Sequence, residues 1–318
     1  MTNAHATFDP ELAALLPGLK DFIPVGMTLE RLPYFRGLSA TPREMILGDA
    51  AVTCFDYTIA GYQGAEIVVS VVRRRDHAKP GPGILCLHGG GMVMGSRFAG
   101  THPMVSWALE HDAVCVTVDY RLAPEFPAPI PSEDCYAGLL WMAANAEMLG
   151  FDASRLVVFG GSGGGGLAAA VALMARDRGG PKLMGQLLQC PMIDDRNITP
   201  SSREYDGVGV WDRVSNLTAW RALLGARCGS DKVSPYEAPA RATDLSNLPP
   251  AYIDVGEAEV FRDEDVAYAN AILAAGGACE LHVWPGAFHG FYDLAPESAI
   301  AKACIAARED WLRRLLRD

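Results

Sequence analysis

The hydrophobic positions of this chain fall into short, dense runs, at residues 66–73, 84–87, 113–118, 155–159, 186–190, 251–255 and 279–284. Runs of this length with little polar alternation are the pattern of strands covered on both faces. The segments between them include helical stretches, most clearly the apolar residues 167–173. Strand and helix in regular succession predict a parallel sheet with helices on both sides, an α/β fold. Half of the 318 residues are hydrophobic, enough for a large core in one long α/β unit. No internal repeat or low-complexity linker interrupts the pattern.

Two glycine clusters change the picture from fold to chemistry. Gly160-Gly161-Ser162-Gly163-Gly164 joins the strand-like run 155–159 to the helical run 167–173. A serine between glycines at a strand-to-helix turn reads as a nucleophile elbow, because bulky neighbours would clash in so tight a bend. Upstream, the run 84–87 empties into His88-Gly89-Gly90-Gly91-Met92. Glycines there permit backbone conformations that aim N–H groups into a cavity. Acyl transfer needs such donors, since the tetrahedral intermediate carries its charge on the former carbonyl oxygen. Gly90, Gly91 and Gly163 are the expected oxyanion hole, with Gly89 as a substitute. A Walker phosphate loop is excluded because Gly166 is followed by Leu167. The spacing Gly161-x-Gly163-x-x-Gly166 fits a dinucleotide fingerprint, which leaves the His-Gly-Gly-Gly run unexplained.

A serine nucleophile needs a base and an acid. Of seven histidines, His282 sits in a strand by alternation, His5 and His77 in polar segments expected to be exposed, and His102 and His111 beside a helical stretch. His88 is expected to shape the glycine loop. His289, in Gly286-Ala287-Phe288-His289-Gly290-Phe291, follows a strand and a Pro-Gly turn, where this sheet architecture places a catalytic base. The acid falls between Ser162 and His289 in chain order. Asp254 lies within a strand, and Asp263 and Glu264 open the next helix, so the loop residues Glu257 and Glu259 are the candidates. No His-Glu-x-x-His or paired Cys-x-x-Cys motif points to a metal, and neither cofactor nor metal is expected.

These segments, together with Asp119-Tyr120-Arg121-Leu122-Ala123-Pro124-Glu125 and Val260-Phe261-Arg262-Asp263-Glu264, resemble the bacterial hormone-sensitive-lipase-like (family IV) esterases of the α/β-hydrolase superfamily. The matching order runs over residues 84–292. The resemblance implies an α/β-hydrolase fold with eight mostly parallel strands and a helical cap, and a carboxylesterase for short or medium acyl chains. It places Glu259 at the position of the acid, where the family usually has Asp. Two further departures are Gly161, where the family has Asp, and Gly163, where it has Ala. The 120–125 segment is expected to support the site, with Arg121 and Glu125 able to pair. A non-catalytic ligand receptor on the same fold, amide hydrolysis and transacylation are the competing readings.

Two regions break the strand-helix pattern. Residues 1–45 contain a short amphipathic helix candidate at 10–16, and residues 194–247 carry Trp211, Trp220, Leu223 and Leu224. The second is too long for a plain loop and is expected to hold helices. Both are assigned to the cap, over a core of residues 46–193 and 248–318. Met92 and Trp211 are candidate pocket residues, with simple packing the equal alternative for Trp211. The net charge of −11 disfavours nucleic acid and anionic membranes as partners but does not identify a substrate; a small-molecule ester is what the serine elbow and the resemblance imply. Eight scattered cysteines, no apolar targeting core and no run long enough for a membrane span suggest a cytoplasmic setting. A homo-oligomer is left open.

Overall fold

The apolar runs pair into one eight-stranded sheet of order β1-β2-β4-β3-β5-β6-β7-β8. The strands are β1 Val52–Ala60, β2 Glu66–Arg74, β3 Gly81–Leu87, β4 Val114–Asp119, β5 Phe151–Gly161, β6 Leu183–Gln189, β7 Ala251–Gly256 and β8 Cys279–Trp284. Pairing is antiparallel for β1 with β2 and β2 with β4, and parallel for every other neighbouring pair. The computed structural model describes residues 7–19, 23 and 25–317; His5 lies outside them. Among the described residues no helix is long and apolar enough to cross a membrane.

The central strands read as continuous apolar runs because both faces are covered. In β3, Leu85 and Leu87 face one hydrophobic cluster while Ile84 and Cys86 face the other. In β5 the same alternation sends Leu156 and Val158 one way and Val157 and Phe159 the other. Burying each such side chain contributes about 1.5–3 kcal/mol, and so the fold centres on β3 and β5.

One strand has no counterpart among the seven runs. β1 is a half-exposed edge strand, with Phe55 48% exposed. A strand with little to bury leaves no dense apolar run. The 10–16 segment is also not one helix but two short ones, Pro10–Ala13 and Leu16–Leu19. His77 is another correction: its side chain is only 7% exposed, with Nδ1 2.7 Å from Asp112 Oδ1 and Nε2 2.7 Å from the Gly150 carbonyl. A polar sequence neighbourhood had masked these long-range partners.

The helix Gly163–Asp177 runs from the end of β5 through the core, and every residue from Gly163 to Ala175 is buried. Its glycine-rich start would be a poor choice for an exposed helix, costing about 1 kcal/mol per glycine relative to alanine. Here packing decides. A Cβ on Gly164 would lie 2.0 Å from the Leu87 carbonyl oxygen, and one on Gly166 would lie 2.0 Å from that of Met192. The missing side chains let the first turn press against the loop after β3 and the segment after β6.

The two segments outside the alternation meet each other. Gly26 N–H donates to Asp212 Oδ1 at 3.0 Å and Met27 N–H to Ser215 Oγ at 3.0 Å. The later segment holds the helices Pro200–Glu204 and Arg213–Leu224. The earlier one holds Leu32–Ser39, whose Arg36 donates to the carbonyls of Val93 and Ala123, both at 2.8 Å.

Gly166→Ala tests the packing argument. Helix propensity alone would stabilise the protein by about 1 kcal/mol. The Met192 contact predicts instead a loss of about 2 kcal/mol or more, read as a lower Tm in thermal unfolding; a raised Tm would contradict it.

Candidate active site

Ser162, Glu259 and His289 come from loops after three different parallel strands, β5, β7 and β8. The His88–Gly91 loop follows β3. All four therefore lie at the carboxyl ends of parallel strands, where α/β sheets leave a crevice. Ser162 has φ 57° and ψ −122°, a backbone conformation that non-glycine residues avoid. It is over-determined by its neighbours. Ser162 N–H donates to the Gln189 carbonyl at 2.8 Å, and its own carbonyl accepts from Met192 N–H at 2.9 Å and Gly166 N–H at 3.0 Å. Strain held this way typically costs 1–3 kcal/mol and collects at functional sites.

The side chain that results is within reach of a base. His289 Nε2 lies 3.0 Å from Ser162 Oγ, and His289 Nδ1 lies 2.6 Å from Glu259 Oε2. The other carboxylate oxygen of Glu259 accepts from Gly256 N–H at 2.8 Å. Glu259 is 1% exposed and His289 10% at the side chain. Phe261 packs edge-on to the imidazole with ring centroids 5.2 Å apart. The two loop carboxylates thus separate: Glu257 turns away and accepts from Gly286 N–H at 2.9 Å. Asp254 faces the buried Arg308 at 3.4 Å, and Asp263 accepts from Ser201 N–H at 2.7 Å. Glu264, expected only to open a helix, is buried and accepts from the N–H groups of Ile193 and Asp194.

The glycine loop approaches the elbow closely. A Cβ on Gly163 would lie 2.8 Å from Gly91 N and 2.9 Å from Met92 N. Among the described backbone hydrogen bonds, none uses the N–H of Gly90, Gly91 or Gly163. Gly89 and Gly90 line the cavity beside Ser162. His88 shapes the loop as a neutral ring. Burial pushes its pKa down to about 4, and Nδ1–H donates to the Gly89 carbonyl at 2.8 Å. The ring stacks on Tyr120 with centroids 4.2 Å apart, and the Tyr120 hydroxyl donates to the His88 carbonyl at 2.8 Å.

The supporting pairs differ from the expected one. Arg121 does not pair with Glu125. Its guanidinium binds the fully buried Asp134 twice at 2.8 Å. Glu125 binds Arg36 twice at 2.7 Å, and that guanidinium holds its carboxyl down at a pKa of about 2. Arg36 and Glu125 are far apart in sequence, and Arg121 also donates to the distant Tyr62 carbonyl at 3.0 Å.

A cavity of about 260 Å³ opens over Ser162 and His289. Ile23 and Ser39 wall it from one outer segment, and Val210 and Trp211 from the other. Trp211 is 4% exposed, packs against Gly91 and also lines the cavity, so its two expected roles coincide. Met92 is a correction. It is 2% exposed and faces a separate small void beside Gly166 and Leu167. Its Cε lies 3.4 Å from where a Cβ on Gly166 would sit. Gly161, Gln189, Tyr292 and Asp293 also line the cavity; no sequence argument had singled out the last three. Cys190, Glu259 and His289 offer ligand atoms within 4.8 Å of one another. Glu259 and His289 are committed to each other and to Ser162, and the Cys190 thiol, its pKa raised by burial, contacts the Tyr292 hydroxyl at 3.3 Å.

A family profile described as the alpha/beta hydrolase fold matches residues 84–293. Carboxylesterase NlhH of Mycobacterium tuberculosis is 38% identical over 218 residues, 67% of this chain and 67% of that protein. Ethyl acetate hydrolase of Pseudomonas putida is 34% identical over 243 residues, 74% of each. Among solved structures, a bacterial heroin esterase superimposes with a TM-score of 0.90 at 37% identity, covering 98% of this chain and 99% of that one.

The buried neutral His88 has a consequence for acid stability. Its folded pKa lies below the unfolded value of about 6.5, so its contribution is complete above that value. It is lost as pH falls from about 6.5 toward 4, by about 3 kcal/mol in all. Denaturant unfolding across this window is expected to show a steeper pH dependence for the wild type than for His88→Gln. Equal slopes would contradict the assignment.

Proposed function

The chain belongs to the hormone-sensitive-lipase-like esterases of the α/β-hydrolase superfamily and is a carboxylic ester hydrolase; from this premise we propose that it works through Ser162, His289 and Glu259. The observation that carries the proposal is the continuous relay from Ser162 Oγ through both imidazole nitrogens to the Glu259 carboxylate, 3.0 Å and 2.6 Å.

On this reading His289 Nε2 takes the Ser162 proton as Oγ attacks the ester carbonyl. Glu259 keeps the proton on Nδ1 and stabilises the imidazolium. The N–H groups of Gly90, Gly91 and Gly163 receive the oxyanion, and loss of one such donor costs about 3–4 kcal/mol. The protonated Nε2 then passes its proton to the leaving alcohol. Water repeats the cycle on the acyl-enzyme and frees the acid. Glu259 is one methylene longer than aspartate, and Gly256 N–H holds its second oxygen, so the carboxylate still meets Nδ1.

The described parts of residues 1–45, together with residues 194–247, form the cap in this scheme. Ile23, Ser39, Val210 and Trp211 support it, because they wall the cavity above Ser162. A cap excludes water and sizes the pocket. About 260 Å³ is near the lower end for small-molecule sites, roughly 300–1,000 Å³, which favours short acyl chains. Eight unpaired cysteines support a reducing, cytoplasmic setting.

Ser162→Ala is expected to abolish p-nitrophenyl butyrate hydrolysis with the thermal unfolding profile retained. Glu259→Gln is expected to lower kcat by about 10⁴-fold, while Glu257→Gln changes it little; the reverse ranking would move the acid by two positions. Across p-nitrophenyl esters, kcat/KM is expected to peak between acetate and hexanoate. A maximum at laurate would contradict the pocket size.

A further inference from the structure

The cavity over Ser162 is walled mostly by glycines and apolar side chains. One wall residue is anionic. Asp293 lies four residues beyond His289, in the short helix Phe291–Leu294, and lines the same cavity as Ser162 and His289. Its side chain is 34% exposed, and it lines the cavity. Oδ2 lies 3.7 Å from where a Cβ on Gly100 would sit, so this neighbouring wall residue flanks the carboxylate without a side chain of its own.

The charges around Asp293 leave it under-compensated. Among the described residues its one ion-pair partner is His102, with Nε2 at 3.5 Å and a side chain 45% exposed. Arg308, His289, Asp254 and the neighbouring Tyr292 are other charged or titratable groups that interact with it. Arg308 is itself paired with Asp254 at 3.4 Å. Burial raises the Asp293 pKa, so its ionised form gains from a cation placed beside it. The net charge of −11 adds an attractive field for cations arriving from solution.

From this geometry, and resting on the esterase reading above, we propose that Asp293 is a specificity residue that selects esters carrying a positively charged ammonium group on one arm. With the carbonyl carbon at Ser162, that arm extends along the Gly290–Leu294 wall and brings its cation to the carboxylate. Asp293 takes no part in the acyl transfer itself.

Matched esters test this at pH 8. Acetylcholine and 3,3-dimethylbutyl acetate share a shape and differ in charge on the alcohol arm. Ethyl 4-(trimethylammonio)butanoate and ethyl 5,5-dimethylhexanoate do the same for the acyl arm. In the wild type, kcat/KM for the cationic member of at least one pair is expected to exceed its neutral partner by about tenfold. Asp293→Asn is expected to bring that ratio near one while changing the neutral ester's kcat/KM by less than about threefold. Asp293→Glu is expected to keep the preference, which separates charge from packing. Ratios near one for both pairs in the wild type, or a preference that survives Asp293→Asn, would overturn the proposal. Failure of the esterase reading looks different: the neutral esters would then go unhydrolysed, or would be hydrolysed equally well by Ser162→Ala.

Discussion

Everything at this site hangs on the backbone of Ser162, held at a positive φ that serine does not choose for itself. The strain persists because three backbone hydrogen bonds fix the residue from both sides. A glycine-rich helix start leaves no room for it to relax. Release that turn and Oγ leaves the reach of His289. The close approach of Gly163 to Gly91 and Met92 would also be lost. The apparent waste of helix propensity at residues 163–166 is therefore the condition for bringing two backbone segments into contact.

The relay is supported from below by charge and from above by packing. Asp254, Arg308 and Gln189 form a buried polar layer behind the cavity, with the Gln189 oxygen facing the Arg308 guanidinium. Breaking one partner of such a buried pair leaves an unpaired charge, which typically costs 3–5 kcal/mol. Phe261 and Trp211 flank the imidazole from the other side. Arg36 ties the segment before the sheet to the carbonyls of Val93 and Ala123 and to Glu125, on both sides of the site. The segment before the sheet and the segments after β3 and β4 thus share hydrogen bonds.

Much of the fold was legible because buried strands and glycine turns leave local marks. Seven of eight strands announced themselves as apolar runs; β1 did not, because an exposed edge has little to bury. The sequence positions of Ser162, His289 and the glycine loop follow from turn chemistry at strand ends. Turn chemistry alone left Glu257 and Glu259 both open, and the resemblance placed the acid at Glu259; the path of the backbone after β7 sends Glu259 to His289 and Glu257 to Gly286. Partners on separate elements stayed hidden: Arg36 with Glu125, Arg121 with Asp134, and His77 with Asp112. Asp293 was invisible for the same reason. What makes it notable is the cavity it faces, and a cavity is assembled from segments distant in the chain.

The most direct measurement is covalent trapping with a p-nitrophenyl phosphonate ester, followed by peptide mass spectrometry. The account predicts one phosphonyl group per chain, located on Ser162, with p-nitrophenol released in the same amount and ester hydrolysis lost in proportion. Stoichiometric labelling of another residue, or full hydrolytic activity in protein whose Ser162 is completely modified, would contradict it.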